Sequence, residues 1–119
     1  MPIKFSHLHI KTRDPQKTAD WWVENLGAKI AGRVHGTGFV LDMDGIPFNV
    51  TTMVEEQTRL QHFGLEHLAI RTDDIDNLVN KLKANGARLL EARKNDKTGR
   101  RKNFFMETPE GVQIEISEI

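Results

Sequence analysis

His67 and Glu115 are the residues of this 119-residue chain whose types and spacing best suit chemistry, because the first half contains a near copy of their setting with His7 and Asn49 in their places. One half reads Ser6-His7-Leu8-His9-Ile10-Lys11-Thr12-Arg13-Asp14, and the other Glu66-His67-Leu68-Ala69-Ile70-Arg71-Thr72-Asp73-Asp74. The histidines and the aspartates are each offset by 60 positions, Gly27 and Gly86 by 59, and the pairs Gly45/Gly111 and Asn49/Glu115 by 66. Such a duplication can bring two imidazoles and a carboxylate to one point, the ligand set of an open divalent-metal site.

The elements that must position these residues also occur twice. Residues 4–12 alternate and are rich in apolar types, so a strand is expected there; Asp14 then caps a helix with Pro15 at its first position and Ala19, Trp22, Val23 and Leu26 on one face, stopped by Gly27. Strands are expected at 28–34, 37–43 and 46–52, with glycines between them. The second half repeats the order with a strand at 65–72, an Asp74-capped helix carrying Ile75, Leu78, Val79 and Leu82 up to Gly86, and strands near 87–92, 103–107 and 112–117. Each half is βαβββ, and the fold class is α+β. The expected organisation is one domain over residues 1–119, built of a module at about 4–52, a polar linker at 53–64 and a module at about 65–119.

Period-two geometry assigns faces. Residues i and i+2 share one face of a strand, so His7, His9 and Lys11 point together, as do His67, Ala69 and Arg71, and Gln113, Glu115 and Ser117. Leu8 with Ile10, Leu68 with Ile70, and Ile114 with Ile116 take the opposite faces, toward a helix-packed core. The polar set is left on the other side.

Composition narrows the partners. Seventeen basic and 17 acidic residues give zero formal net charge, so no global field favours nucleic acid or an anionic membrane. The absence of cysteine excludes disulfides and thiolate ligands. No apolar run approaches the roughly 20 residues that span a bilayer, and the start lacks a signal-peptide core, so a cytoplasmic protein is expected.

At this level of detail the chain resembles the vicinal oxygen chelate superfamily of glyoxalase I, methylmalonyl-CoA epimerase, extradiol dioxygenases, fosfomycin-resistance enzymes and bleomycin-binding proteins. The resemblance rests on the strand histidines followed seven residues later by Asp14 or Asp74, on Trp21-Trp22-Val23-Glu24-Asn25-Leu26-Gly27, and on Glu107-Thr108-Pro109-Glu110-Gly111-Val112-Gln113-Ile114-Glu115. It implies two tandem βαβββ modules forming a cupped mixed β-sheet with helices on the outer face. It also implies one divalent ion (Fe, Mn, Co, Ni or Zn) held by His7, His67 and Glu115, with Asn49 at the fourth position. Asn49 departs from the Glu or Gln of glyoxalase I and the epimerase: it is one methylene shorter, a shortfall of about 1.5 Å against metal distances of roughly 2.0–2.2 Å.

The activity this resemblance implies is that of a metal-dependent lyase or isomerase of the glyoxalase/epimerase type, acting on a small substrate with vicinal oxygens through a metal-stabilised enolate. Glu115 or His9 would move the proton. An Fe(II) ring-cleaving dioxygenase is an alternative weakened by the lack of tyrosine; a metal-dependent resistance thiol transferase and a non-enzymatic sequestering dimer are the others. His35 and His62 read as surface residues. The basic run at 93–102 reads either as a solvated hairpin tip or as a lid gripping an anionic substrate. A homodimer is expected.

Overall fold

The computed structural model describes residues 2–94 and 102–119, so most of the basic run at 93–102 lies outside the described residues. The elements are β1 (Ile3–Lys11), α1 (Pro15–Leu26), β2 (Lys29–Val34), β3 (Gly38–Met43), β4 (Ile46–Thr51), β5 (Gly64–Thr72), α2 (Ile75–Ala84), β6 (Arg88–Lys94), β7 (Lys102–Glu107) and β8 (Gln113–Glu118). This is βαβββ twice, the expected α+β class. Pairing is mixed: β1 with β4 and β5 with β8 are parallel, and the β2–β3, β3–β4, β6–β7 and β7–β8 pairs are antiparallel.

The chain divides into two compact units. The N-terminal unit comprises His7–Glu56 and Leu60–Glu66; the C-terminal unit comprises His67–Ile119 with Gln57–Arg59 and the segment through Ser6.

In the N-terminal unit the strand order is β2-β3-β4-β1. Cross-strand register sorts its side chains into rows. Ile10, Val50 and Phe39 form one row, and Leu8, Phe48 and Leu41 another. Both rows face α1, where Ile10, Phe39, Leu41 and Val50 bury against Ala19, with Trp22 and Phe48 at the margin. The row between them, His9–Asn49–Val40, has the opposite sense and faces away from the helix. Helix α1 begins and ends as its residues dictate. Asp14 Oδ1 accepts from the Lys17 amide at 3.0 Å, and Gly27 closes the helix at φ 75, the left-handed conformation glycine adopts without penalty.

In the C-terminal unit the order is β5-β8-β7-β6. Ile75, Leu78 and Val79 of α2 bury against Met106 and Ile116, with Ile70, Phe104 and Ile114 beside them. The row Ala69–Glu115–Phe105–Glu91 lies on the other face. Asp74 precedes α2 as expected, but its side chain makes no capping bond to the backbone. The Asn77 side chain donates to Asp74 Oδ2 at 2.6 Å instead and competes for that carboxylate. At its other end the helix stops at Ala84, two residues before Gly86.

The repeat extends to irregularities. Register slips between Ile30 and Gly32 in β2 and between Leu89 and Glu91 in β6, so each unit carries a bulge at the same point of its outer hairpin. The bulge turns Glu91 toward the polar face, where its Oε1 accepts from the amides of Thr58 and Arg59, each at 2.8 Å. Among the described residues no helix is long and apolar enough to cross a membrane.

Candidate metal centre

In the C-terminal unit, β5 presents His67, buried, and β8 presents Glu115, partly buried. His67 Nε2 and Glu115 Oε1 are 3.7 Å apart. That is too long for a hydrogen bond but close to the roughly 3.4 Å between two donors that each sit about 2.0–2.2 Å from one tetrahedral ion. The other carboxylate oxygen, Oε2, accepts from the Asn103 side-chain amide at 2.8 Å. Asn103 therefore fixes which oxygen of Glu115 faces His67, as outer hydrogen bonds orient metal-binding carboxylates.

Phe105 forms the floor between these groups. It pairs in register with Glu115 and is 1% exposed, although it stands on the polar face. The His67 ring meets it edge-on at 5.4 Å, and the Arg59 guanidinium lies over it at 3.8 Å. Arg59, itself buried, also donates from Nη1 to Gln113 Oε1 at 3.0 Å. An aromatic surface edged by an imidazole and covered by a guanidinium screens this region from water and lowers the local dielectric.

In the N-terminal unit, β1 presents His7, half-buried, and His9, buried. Their ring centroids are 5.7 Å apart, and a nitrogen of one lies within 4.8 Å of a nitrogen of the other. His9 Nε2 is 2.7 Å from Thr51 Oγ1, and that hydroxyl donates to the Thr52 carbonyl at 3.0 Å. Asn49 pairs in register with His9 and is half-buried. His7, His9 and Asn49 thus gather on one strand pair, and His67 and Glu115 on another, each set on the face away from its helix. His35, in the β2–β3 turn at φ 50, and His62 are exposed.

Four residues that bear on the site are absent from the sequence expectations: Thr51, Arg59, Asn103 and Phe105. Period two could have placed Thr51 on the face of Asn49, and Asn103 with Phe105 on one face of β7. Arg59 carried no signal, because it lies in the polar stretch between modules and is held through its backbone by Glu91.

The model of the Glyoxalase/Bleomycin resistance protein/Dioxygenase superfamily matches residues 4–116. Solved structures share the fold. A hypothetical protein from Bacillus halodurans C-125 is 18% identical with a TM-score of 0.72, over 100% of this chain and 96% of that one. A superfamily member from Vibrio splendidus 12B01 is 16% identical, TM-score 0.67, over 99% and 100%. Methylmalonyl-CoA epimerase from Mycobacterium tuberculosis is 21% identical, TM-score 0.65, over 97% and 87%. With residues 4–116 matched by that model, the chain belongs to the glyoxalase/bleomycin resistance protein/dioxygenase superfamily.

Proposed function

We propose that this protein is a divalent-metal-dependent lyase or isomerase of the glyoxalase/epimerase type, acting on a small molecule with two vicinal oxygens. The supporting observation is the Asn103–Glu115–His67 arrangement: a carboxylate anchored through one oxygen and presented through the other 3.7 Å from an imidazole nitrogen. This donor chemistry fits a divalent ion of the Fe, Mn, Co, Ni or Zn group. His67 and Glu115 would hold the ion, and His7 is the equivalent of His67 in the repeat. Asn49 stands at the repeat position of Glu115 with a shorter reach.

When bound, the ion supplies Lewis acidity to two adjacent substrate oxygens. The chain's own residues do the rest. Two groups are candidates to accept a proton from a carbon next to those oxygens: Glu115, once released from the ion and still held by Asn103, and His9. Phe105 and Arg59 exclude water behind Glu115, which strengthens each polar interaction in front. The likeness to methylmalonyl-CoA epimerase supports an activated acid such as a CoA ester as the substrate class.

The test is metal content and proton exchange together. Purified protein should carry one divalent ion per site, lost in His67→Ala and Glu115→Ala. Loaded protein should exchange the α-proton of 2-oxo acids or acyl-CoA esters in D₂O. Metal content unchanged by both substitutions would sink the proposal, and so would loaded protein that exchanges no such proton.

A further inference from the structure

At the start of α1 stand residues that the fold does not require. The repeat supplies the comparison, because residues 60 positions apart are equivalent from His7 and His67 through Asp14 and Asp74. Trp22 and Leu82 correspond in the same way, and each packs against the core of its own unit. Arg13, Lys17 and Trp21 correspond to Asp73, Asn77 and Lys81, and all six are exposed. An acid, an amide and a cation in the C-terminal unit are thus replaced by two cations and an indole in the N-terminal one. Trp21 is 53% exposed, its ring meeting Trp22 edge-on at 6.0 Å. A large aromatic left in water beside other aromatics marks a surface that something covers.

Two cavities open beside these residues. One, of 500 Å³, is lined by Arg13, Lys17, Thr18 and Phe63 among others, and the other, of 360 Å³, by Lys17, Thr18, Trp21 and Trp22. They adjoin through the shared Lys17 and Thr18 and form one groove within the N-terminal unit. The Arg13 guanidinium lies over the Phe63 ring at 4.2 Å. Stacking occupies its face and leaves its N–H edge free to hydrogen-bond an anion. Among the described residues neither Arg13 nor Lys17 has an acidic partner. Asp14 also lines the groove, but its Oδ1 accepts from the Lys17 amide at 3.0 Å and caps α1, so side chains rather than the helix end offer the positive charge.

We propose that this groove binds a small aromatic anion, a planar ring carrying a phosphate or a carboxylate. Arg13 and Lys17 hold the anionic group, and Trp21 packs against the ring. The guanidinium fork matches both kinds of anion. Lys17 and Trp21 are one helical turn apart, so their Cβ atoms are about 5–6 Å from each other, the spacing of an anionic group attached directly to a ring. The assignment does not depend on the metal reading of the other residues.

Trp21 and Trp22 are the two tryptophans of the chain, which has no tyrosine, so its indole emission reports on this groove. Metal-free full-length protein kept in EDTA is titrated with phenyl phosphate, benzoate and inorganic phosphate, read by that emission and by calorimetry. Phenyl phosphate or benzoate should quench the emission saturably and bind about tenfold or more tighter than inorganic phosphate, the gain expected from stacking a ring on an indole. Which of the two binds tighter identifies the anionic group. Arg13→Gln and Lys17→Gln, changes at exposed side chains, should each weaken binding by about fivefold or more. Trp21→Ala should do the same, followed by Trp22 emission and calorimetry.

Affinity unchanged in both glutamine variants overturns the assignment, as do ring-bearing probes that bind no tighter than inorganic phosphate. Binding that requires an added divalent ion would put the anion on the metal and overturns it too. Emission that shifts with protein concentration alone, before any probe is added, would mean that a second copy covers Trp21, and this also overturns it.

Discussion

The Asn103 side-chain amide donates to Glu115 Oε2 at 2.8 Å, and this bond determines that Oε1, 3.7 Å from His67 Nε2, is the oxygen presented to the site. Asn103→Leu should therefore keep the fold and weaken divalent-metal binding by about 10–100-fold, the usual effect of losing an orienting partner. Calorimetric titration with Co(II) measures it, and affinity equal to wild type would show that Glu115 needs no anchor.

Thr51 holds the His9 ring from the neighbouring strand, its hydroxyl 2.7 Å from Nε2. Thr51→Val preserves shape but removes the acceptor for the Nε2 proton, so His9 should populate both tautomers. Histidine ring ¹⁵N shifts report the tautomer directly. A single Nε2-protonated form in Thr51→Val would show that something else holds the ring.

Gly38 is where Thr51 gains its room. A Cβ there would stand 2.5 Å from the Val34 carbonyl oxygen and 2.9 Å from Thr51 Cγ2 and the Val50 carbonyl oxygen, two of the three being backbone atoms that cannot rotate away. Gly38→Ala should destabilise the protein by about 1–3 kcal/mol, as overpacking does. Denaturant unfolding compared with wild type checks this, and stability equal to wild type would show that the strands can part to admit the methyl group.

Glu91 ties the segment before β5 to the C-terminal unit by accepting from the Thr58 and Arg59 amides at 2.8 Å and from the Thr58 hydroxyl at 3.3 Å. Glu91→Ala leaves those donors without their carboxylate and should cost about 1–3 kcal/mol. Limited proteolysis should cut more readily between residues 53 and 64, and a cleavage rate unchanged from wild type would contradict the tie.

Ile116 is fully buried against α2 and Met106. Ile116→Ala should lose about 2–5 kcal/mol by the cavity it leaves, with the same measurement of unfolding. The neighbouring polar face predicts a contrasting result for Ser117→Ala, which removes only a hydroxyl from β8 and should cost far less.

The elements were legible because their signals are local. Asp14, Pro15 and Gly27 bound α1 to the residue, and each expected strand lies within about two residues of its observed span. The exception shows the limit of such signals. Asp74 carries the same cap residue as Asp14, but Asn77 one turn later takes its carboxylate, a side-chain competition that a cap pattern does not contain.

By itself the sequence determined the duplicated βαβββ order and the sidedness of β1, β5 and β8, because an alternation of period two is enough to send Ile10 and Ile116 to the helices and His9 and Glu115 to the other face. Only the tertiary structure decided which side chains meet there. Register sets His9 beside Asn49 and Phe105 beside Glu115, and it brings Thr51 to His9, Asn103 to Glu115 and Arg59 over Phe105. These partners are separated by 10 to 46 positions of chain. Their meeting depends on non-local pairing and on one bulge in β6, and no local preference of the residues specifies either.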